Sequence, residues 1–212
     1  MKNRGLFRLG VALTIIILAA ATVVVYSTSN KNKQPLLPYY GPEGDNGEPH
    51  YVSDFHLIDQ DSNAVDGSMY KNKIYVADFF FTTCRGICPL MSEQMLRAYK
   101  KYYDDPDVLF LSHTVDPEED TPCVLKRYAE HRDINTAKWH FVTGDKKQIY
   151  DLARYSYLVD ASTGDGGPTD FVHTDNFALV DRNGRIRGYY DGTDSVQVNK
   201  LIGDIALLEK EK

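Results

Sequence analysis

The sequence predicts an α/β fold, a mixed central sheet flanked by helices, and three observations carry that reading. Ile74 to Phe81 is a β-branched and aromatic run of the kind that forms a buried strand. From there to the C-terminus, short apolar runs alternate with segments of helical period. Near the end, Asp181-Arg182-Asn183-Gly184 places Asn-Gly at the tip of a hairpin. At 212 residues and 42% hydrophobic content, the chain has enough apolar surface for one well-packed domain.

The elements follow in order. Val52, Phe55, Leu57 and Ile58 suggest a short strand, and the turn-rich Asp59–Gly67 makes it half of an N-terminal β-hairpin extension. Pro89 suits the first turn of a helix, where a missing N–H costs nothing, so a helix is expected from Cys88 to about Tyr103, ending before Asp104-Asp105-Pro106. Val108–Val115 reads as the next strand. Asp116-Pro117-Glu118-Glu119-Asp120 looks like a helix start, a capping Asp followed by Pro and acids that suit the positive end of the dipole, with a helix Cys123–His131 after it. A strand Trp139–Thr143 and a helix Lys146–Tyr155 follow. Ser162–Asp175 is loop, Phe177–Val180 and Ile186–Tyr190 are the arms of the hairpin, and Val196–Leu208 is the closing helix.

Residues Leu9 to Tyr26 are almost wholly apolar, a run longer than the ~7–15 residues of a typical signal-peptide core, and are expected to form a single N-terminal transmembrane helix. Lys2, Arg4 and Arg8 precede it, so residues 1–8 should stay in the cytoplasm and the rest be exported to the periplasmic side of the cell membrane. A cleaved signal, with Ala19-Ala20-Ala21 as processing site, is the alternative. Residues 27–50 are polar and rich in Asn, Lys, Gly and Pro, and read as a flexible tether, leaving 51–212 as the folded domain. A net charge of −6 and the lack of a basic stripe argue against a nucleic-acid partner.

Three cysteines are too few for a disulfide scaffold. Cys84 and Cys88 stand where the strand gives way to the helix. Four positions apart on an opening helical turn, their Cβ atoms come within about 5–6 Å, which suits either a shared metal ion or a redox-active disulfide. A helix N-terminus favours the thiolate, the form that binds metals and attacks disulfides. Two soft sulfurs favour Cu(I) or Zn over harder cations, and a third ligand is expected. Of six histidines His173 is the candidate, because its Gly-rich loop precedes the terminal hairpin and can reach the cysteine-bearing turn; an ordinary hydrogen-bonded histidine is the competing reading.

The blocks Asp78-Phe79-Phe80-Phe81-Thr82-Thr83-Cys84-Arg85-Gly86-Ile87-Cys88-Pro89, Val115-Asp116-Pro117-Glu118-Glu119-Asp120-Thr121, Val172-His173-Thr174, Leu179-Val180-Asp181 and Gly188-Tyr189-Tyr190-Asp191-Gly192 resemble the SCO/SenC family over nearly all of Tyr51 to the C-terminus. The resemblance implies a membrane-anchored, thioredoxin-like domain that binds copper through two cysteines and one histidine, here Cys84, Cys88 and His173. It implies a carrier that serves assembly of the dinuclear copper centre of cytochrome c oxidase, with the copper-bearing subunit and other copper carriers as partners. Cu(I) suits this donor set, and the same residues can take Cu(II). Asp175 is the candidate to orient the His173 ring. Asp78, six positions before Cys84, is either a buried acid able to hold a proton near the sulfurs or an ordinary strand-end carboxylate. Met91 and Met95 share a helix face and read as core, while Cys123 departs from the family pattern and reads as a surface thiol.

The main alternative is a thiol-disulfide oxidoreductase that reduces the copper-binding cysteines of the oxidase subunit or otherwise handles redox signalling. Against it stand the Cys-x-x-x-Cys spacing in place of Cys-x-x-Cys, and Thr174-Asp175-Asn176 where redox thioredoxins carry a proline. A peroxidase using Arg85 and a structural zinc site are weaker alternatives, the latter because zinc in such sites takes four ligands and three are identified.

Overall fold

A computed structural model describes residues 18–23, 36–44, 46–164, 166–167 and 170–211. The larger of two units runs from Leu37 to Lys212. Among the described residues, its strands β1 (His56–Asp59), β2 (Ala64–Asp66), β3 (Ile74–Phe80), β4 (Val108–Thr114), β5 (Trp139–Thr143), β6 (Asn176–Val180) and β7 (Ile186–Asp191) form one sheet in the order β2-β1-β5-β4-β3-β6-β7. β3, β4 and β5 run parallel, and the flanking pairs are antiparallel. The expected N-terminal hairpin is β1–β2, which joins the sheet edge by pairing β1 with β5.

β3 and β4 are buried along their whole length, which is why they read as continuous apolar runs rather than alternating ones. Helices α1 (Cys88–Lys101), α2 (Pro122–Glu130) and α4 (Ser195–Leu208) cover one face, on which Met91 and Met95 pack with Val76, Phe110, Leu125 and Leu201. The short helix α3 (Lys146–Asp151) and a π-helical turn (Leu152–Ser156) cover the other face, against Tyr75, Phe79 and Leu111. At the β6–β7 turn Gly184 takes φ +79, a left-handed conformation open to glycine at no steric cost, and the Asp181 carboxylate accepts hydrogen bonds from the N–H groups of Asn183 and Arg185.

Three expectations are corrected, and one helix end, that of α1, shifts slightly. Asp116–Asp120 is a separate turn, closed by Asp120 N–H donating to Asp116 O at 2.8 Å, and helix α2 starts at Pro122 behind Thr121. The helix expected over Lys146–Tyr155 changes to π geometry after Asp151. α1 ends at Lys101, just short of Tyr103. The packed unit begins at Leu37 rather than near Tyr51, so the last part of the expected tether is docked: Leu37 is buried, and the Leu37 and Pro38 carbonyls accept from the Arg187 guanidinium.

The rest of that tether, residues 27–35, and residues 1–8 lie outside the described residues, as does most of the expected anchor Leu9–Tyr26. Within the anchor, residues 18–23 are helical. Among the described residues no helix is long and apolar enough to cross a membrane.

Candidate metal centre at the first turn of helix α1

β3 delivers the chain to the site and stops at Phe80. The segment 81–87 then turns without regular structure before α1 opens at Cys88, with Pro89 in its first turn. The turn is held from below by Asp120, whose buried carboxylate accepts from Thr82 N at 3.0 Å, from Thr114 Oγ1 at 2.5 Å and from Thr82 Oγ1. Asp120 therefore ties the loop that carries Cys84 to the end of β4. Sequence reasoning placed it in an acidic helix cap and missed this role; its partner Thr82 lies 38 positions earlier, and no local signal links the two.

Both cysteines are free, Cys84 half-buried and Cys88 buried, and they line the same cavity. The two thiols are unequal. For Cys84, burial pushes the thiol up, but hydrogen bonding with Cys88 and the N–H groups of Cys88, Gly86 and Ile87 outweigh it, and the net direction is down. For Cys88, burial pushes the thiol up and the neighbouring Cys84 adds to it. The helix N-terminus was expected to favour the Cys88 thiolate; its amides instead serve the sulfur of the preceding loop.

His173 comes from the segment between the π turn and β6. Cys84, Cys88 and His173 line one cavity of about 260 Å³, walled by Phe80, Phe81, Val115 and Val172. Two sulfurs and one imidazole thus face a small, largely apolar space. His173 is exposed, its ring 4.7 Å from that of Phe171, which in turn packs edge-on to Phe81 at 5.3 Å. Among the described residues no three His, Cys, Asp or Glu side chains stand at ligating distances, so the imidazole must swing toward the sulfurs before all three can hold one ion.

Asp78 is buried beneath Cys88, beside a small void that both residues line with Ser92 and Tyr128. Its carboxyl accepts from Ser112 Oγ, which accepts from Trp139 Nε1 at 2.8 Å. Burial pushes the carboxyl up to about 7, against the pull of the Ser112 hydroxyl. Asp175 is exposed and makes no side-chain hydrogen bond to a described residue; its carbonyl accepts from Gly192 N at 2.7 Å. Cys123 is exposed on α2, 3.6 Å from Arg127 Nη1, and is not among the residues that line the cavity.

A family model described as SCO1/SenC matches residues 43–207. The chain belongs to the SCO1/SenC family. A SCO1 protein homolog from Bacillus subtilis is 31% identical over 156 residues, which span 73% of this chain and 80% of that one. Among solved structures, BsSco, described as a Sco-family cytochrome c oxidase assembly protein with a disulfide switch, aligns with a TM-score of 0.65 at 30% identity, covering 77% of this chain and 95% of that one. Bradyrhizobium japonicum ScoI, solved with copper bound, aligns with a TM-score of 0.56 at 27% identity over 74% of this chain and 99% of its own. The mixed sheet with flanking helices is thus the Sco fold, and the SCO1/SenC match covers the cysteine turn, the Asp116–Asp120 turn and the His173 segment alike.

Proposed function

We propose that this SCO1/SenC protein is a copper carrier for assembly of the dinuclear copper centre of cytochrome c oxidase, and that Cys84, Cys88 and His173 are its copper ligands. The observation that carries the reading is the convergence of both sulfurs and the imidazole on one cavity. Relatives of the same family that bind copper or assist oxidase assembly support the substrate assignment.

The chemistry follows from the unequal thiols. Cys84, the more acidic, offers its thiolate first, and capture of Cu(I) there draws the proton from the neighbouring Cys88. The imidazole then closes the third position. Three soft or borderline donors hold Cu(I) well and leave one side open, so a ligand of the copper-bearing subunit can attack while the carrier's own donors leave one at a time. Copper passes between proteins without being released to solvent. We read Leu9–Tyr26 as the anchor that holds the domain on the exported side of the membrane.

A second reading, reduction of the partner's copper-binding thiols, is favoured by the two free cysteines that line one cavity. In that step the Cys84 thiolate attacks a partner disulfide, one partner thiolate leaves, and Cys88 resolves the mixed disulfide; two electrons pass to the partner, one proton coming from Cys88 and the other from solvent. His173 separates the readings. In the carrier, the reduced protein takes up one copper with two sulfur and one nitrogen neighbours by X-ray absorption, and His173→Ala weakens Cu(I) binding at least about 10-fold and removes the nitrogen. Copper binding indifferent to that substitution, with an unchanged thiol-disulfide potential, would favour the reductase.

A further inference from the structure

The segment that carries His173 is tied down by a buried guanidinium that plays no part in the chemistry above. Arg154 lies in the π-helical turn Leu152–Ser156, its side chain 2% exposed. It donates from Nη1 to Asp170 Oδ2 at 2.7 Å and from Nη2 to Asp170 Oδ1 at 2.6 Å, a two-point clamp. The same Nη2 donates to Ser162 Oγ at 3.1 Å, and Nε lies 3.7 Å from Asp160 Oδ2. One side chain therefore grips both the start and the end of the loop between the π turn and β6. The turn itself is braced, because Ser156 O accepts from His50 Nε2 at 2.7 Å and Ser156 Oγ accepts from Ser53 N at 2.7 Å.

Asp170 stands three positions before His173. Between them Val172 is buried in the core, and just after them Asp175 O is fixed by Gly192 N–H. The backbone around His173 is thus held on both sides, which leaves the imidazole free to swing but not to wander. A buried ion pair contributes little net stability compared with an apolar replacement of the same shape, yet it fixes geometry through two parallel hydrogen bonds.

We propose that Arg154, through Asp170, is a positioning residue for His173: the Arg154–Asp170 clamp holds the loop so that the imidazole reaches the Cys84–Cys88 pair at small entropic cost. Without the clamp, closing the third ligand position must also order the loop, and that cost is subtracted from copper affinity. The inference rests on His173 being a ligand, as in the carrier reading.

The test compares the reduced, detergent-solubilised full chain with Asp170→Asn, Arg154→Lys, His173→Ala and the Asp170→Asn/His173→Ala double variant, measuring Cu(I) affinity by competition with a chromophoric chelator. X-ray absorption gives the nitrogen share of the copper shell, and urea midpoints and circular dichroism check the fold. Asp170→Asn is expected to weaken Cu(I) binding about 10–100-fold and to reduce the nitrogen share, Arg154→Lys, which keeps the charge but loses the fork, to do so more mildly, and the double variant to bind no worse than His173→Ala. Native-like affinity and coordination in both folded clamp variants, with His173→Ala still weakened, overturns the positioning role and leaves the carrier reading standing. So does an equal loss from Asp170→Asn whether or not His173 is present. An unaffected His173→Ala variant overturns the carrier reading itself.

Discussion

Two buried titratable groups on β3 and β4 oppose each other. Burial pushes Asp78 up to about 7 and holds His113 down to about 4, the latter partly offset by the Asp78 carbonyl. A carboxyl raised from 3.8 adds stability that is complete below about pH 4 and is lost as pH rises to about 7. An imidazole lowered from 6.5 does the reverse, adding stability above about 6.5 that is lost as pH falls to about 4. Between these limits the two slopes cancel. Asp78→Asn removes one of them, so the variant should lose stability relative to the parent as pH falls from 6.5 to 4, by on the order of 3 kcal/mol. Urea unfolding of both proteins across that range checks this, and parallel curves would show that Asp78 does not titrate in the fold. At this scale much of the candidate site was legible: the two cysteines at a strand-to-helix switch, and a histidine in a loop the fold returns to them. The burial of Asp78 was not, because a lone acid in an apolar run gives no sign of which face it takes or of the Ser112 hydroxyl that receives it.

Asp120 shows how a tertiary bond overrides a local pattern. Asp-Pro-Glu-Glu-Asp has the composition of a helix cap, yet it forms a turn of its own and its last carboxylate closes over Thr82 and Thr114, tying the Cys84 loop to the end of β4. Asp120→Ala would leave the buried Thr114 hydroxyl and the two partly buried Thr82 donors without their acceptor, and a loss on the order of 2 kcal/mol is expected. The looser loop should also present fewer amides to Cys84, so its thiol should become less acidic. The pH dependence of thiol alkylation together with the urea midpoint measures both; an unchanged alkylation profile would mean that the loop does not depend on Asp120. The long elements were predictable because burial and amphipathicity mark them along the chain: β3, β4, α1 and α4 lie close to their expected positions. The π turn after α3 was not, since one wider turn carries no period of its own, and it is that turn which presents Arg154 to the loop.

For the whole molecule the sheet with its flanking helices was predictable, and the boundary of the packed unit was not. Leu37-Pro38-Tyr39-Tyr40 sits in a stretch with the composition of a linker, but its partners are on β7, some 150 positions away. Leu37 O and Pro38 O accept from Arg187, which also pairs with Asp181 at 3.0 Å and Glu211 at 2.7 Å, while the Tyr39 ring covers Arg185 at 3.5 Å and Arg187 at 4.2 Å. Such a guanidinium tolerates burial only because its donors are all directed at acceptors, and the docked segment supplies two of them. A chain starting at Tyr51 should therefore be less stable than one starting at Leu36. Two charge-assisted hydrogen bonds to Arg187, the Tyr39 ring over the guanidinium groups, the bonds Tyr40 N–Ile186 O and His50 Nε2–Ser156 O, and the burial of one leucine are lost, while water reaches the freed groups and recovers much of the difference, for a net on the order of 3 kcal/mol. For a domain of this size that corresponds to a Tm lower by about 6–12 °C. Thermal unfolding of the two chains at one pH and salt concentration decides it: equal midpoints would mean that residues 37–50 merely lie on the surface, whereas the predicted drop would make them part of the folded unit.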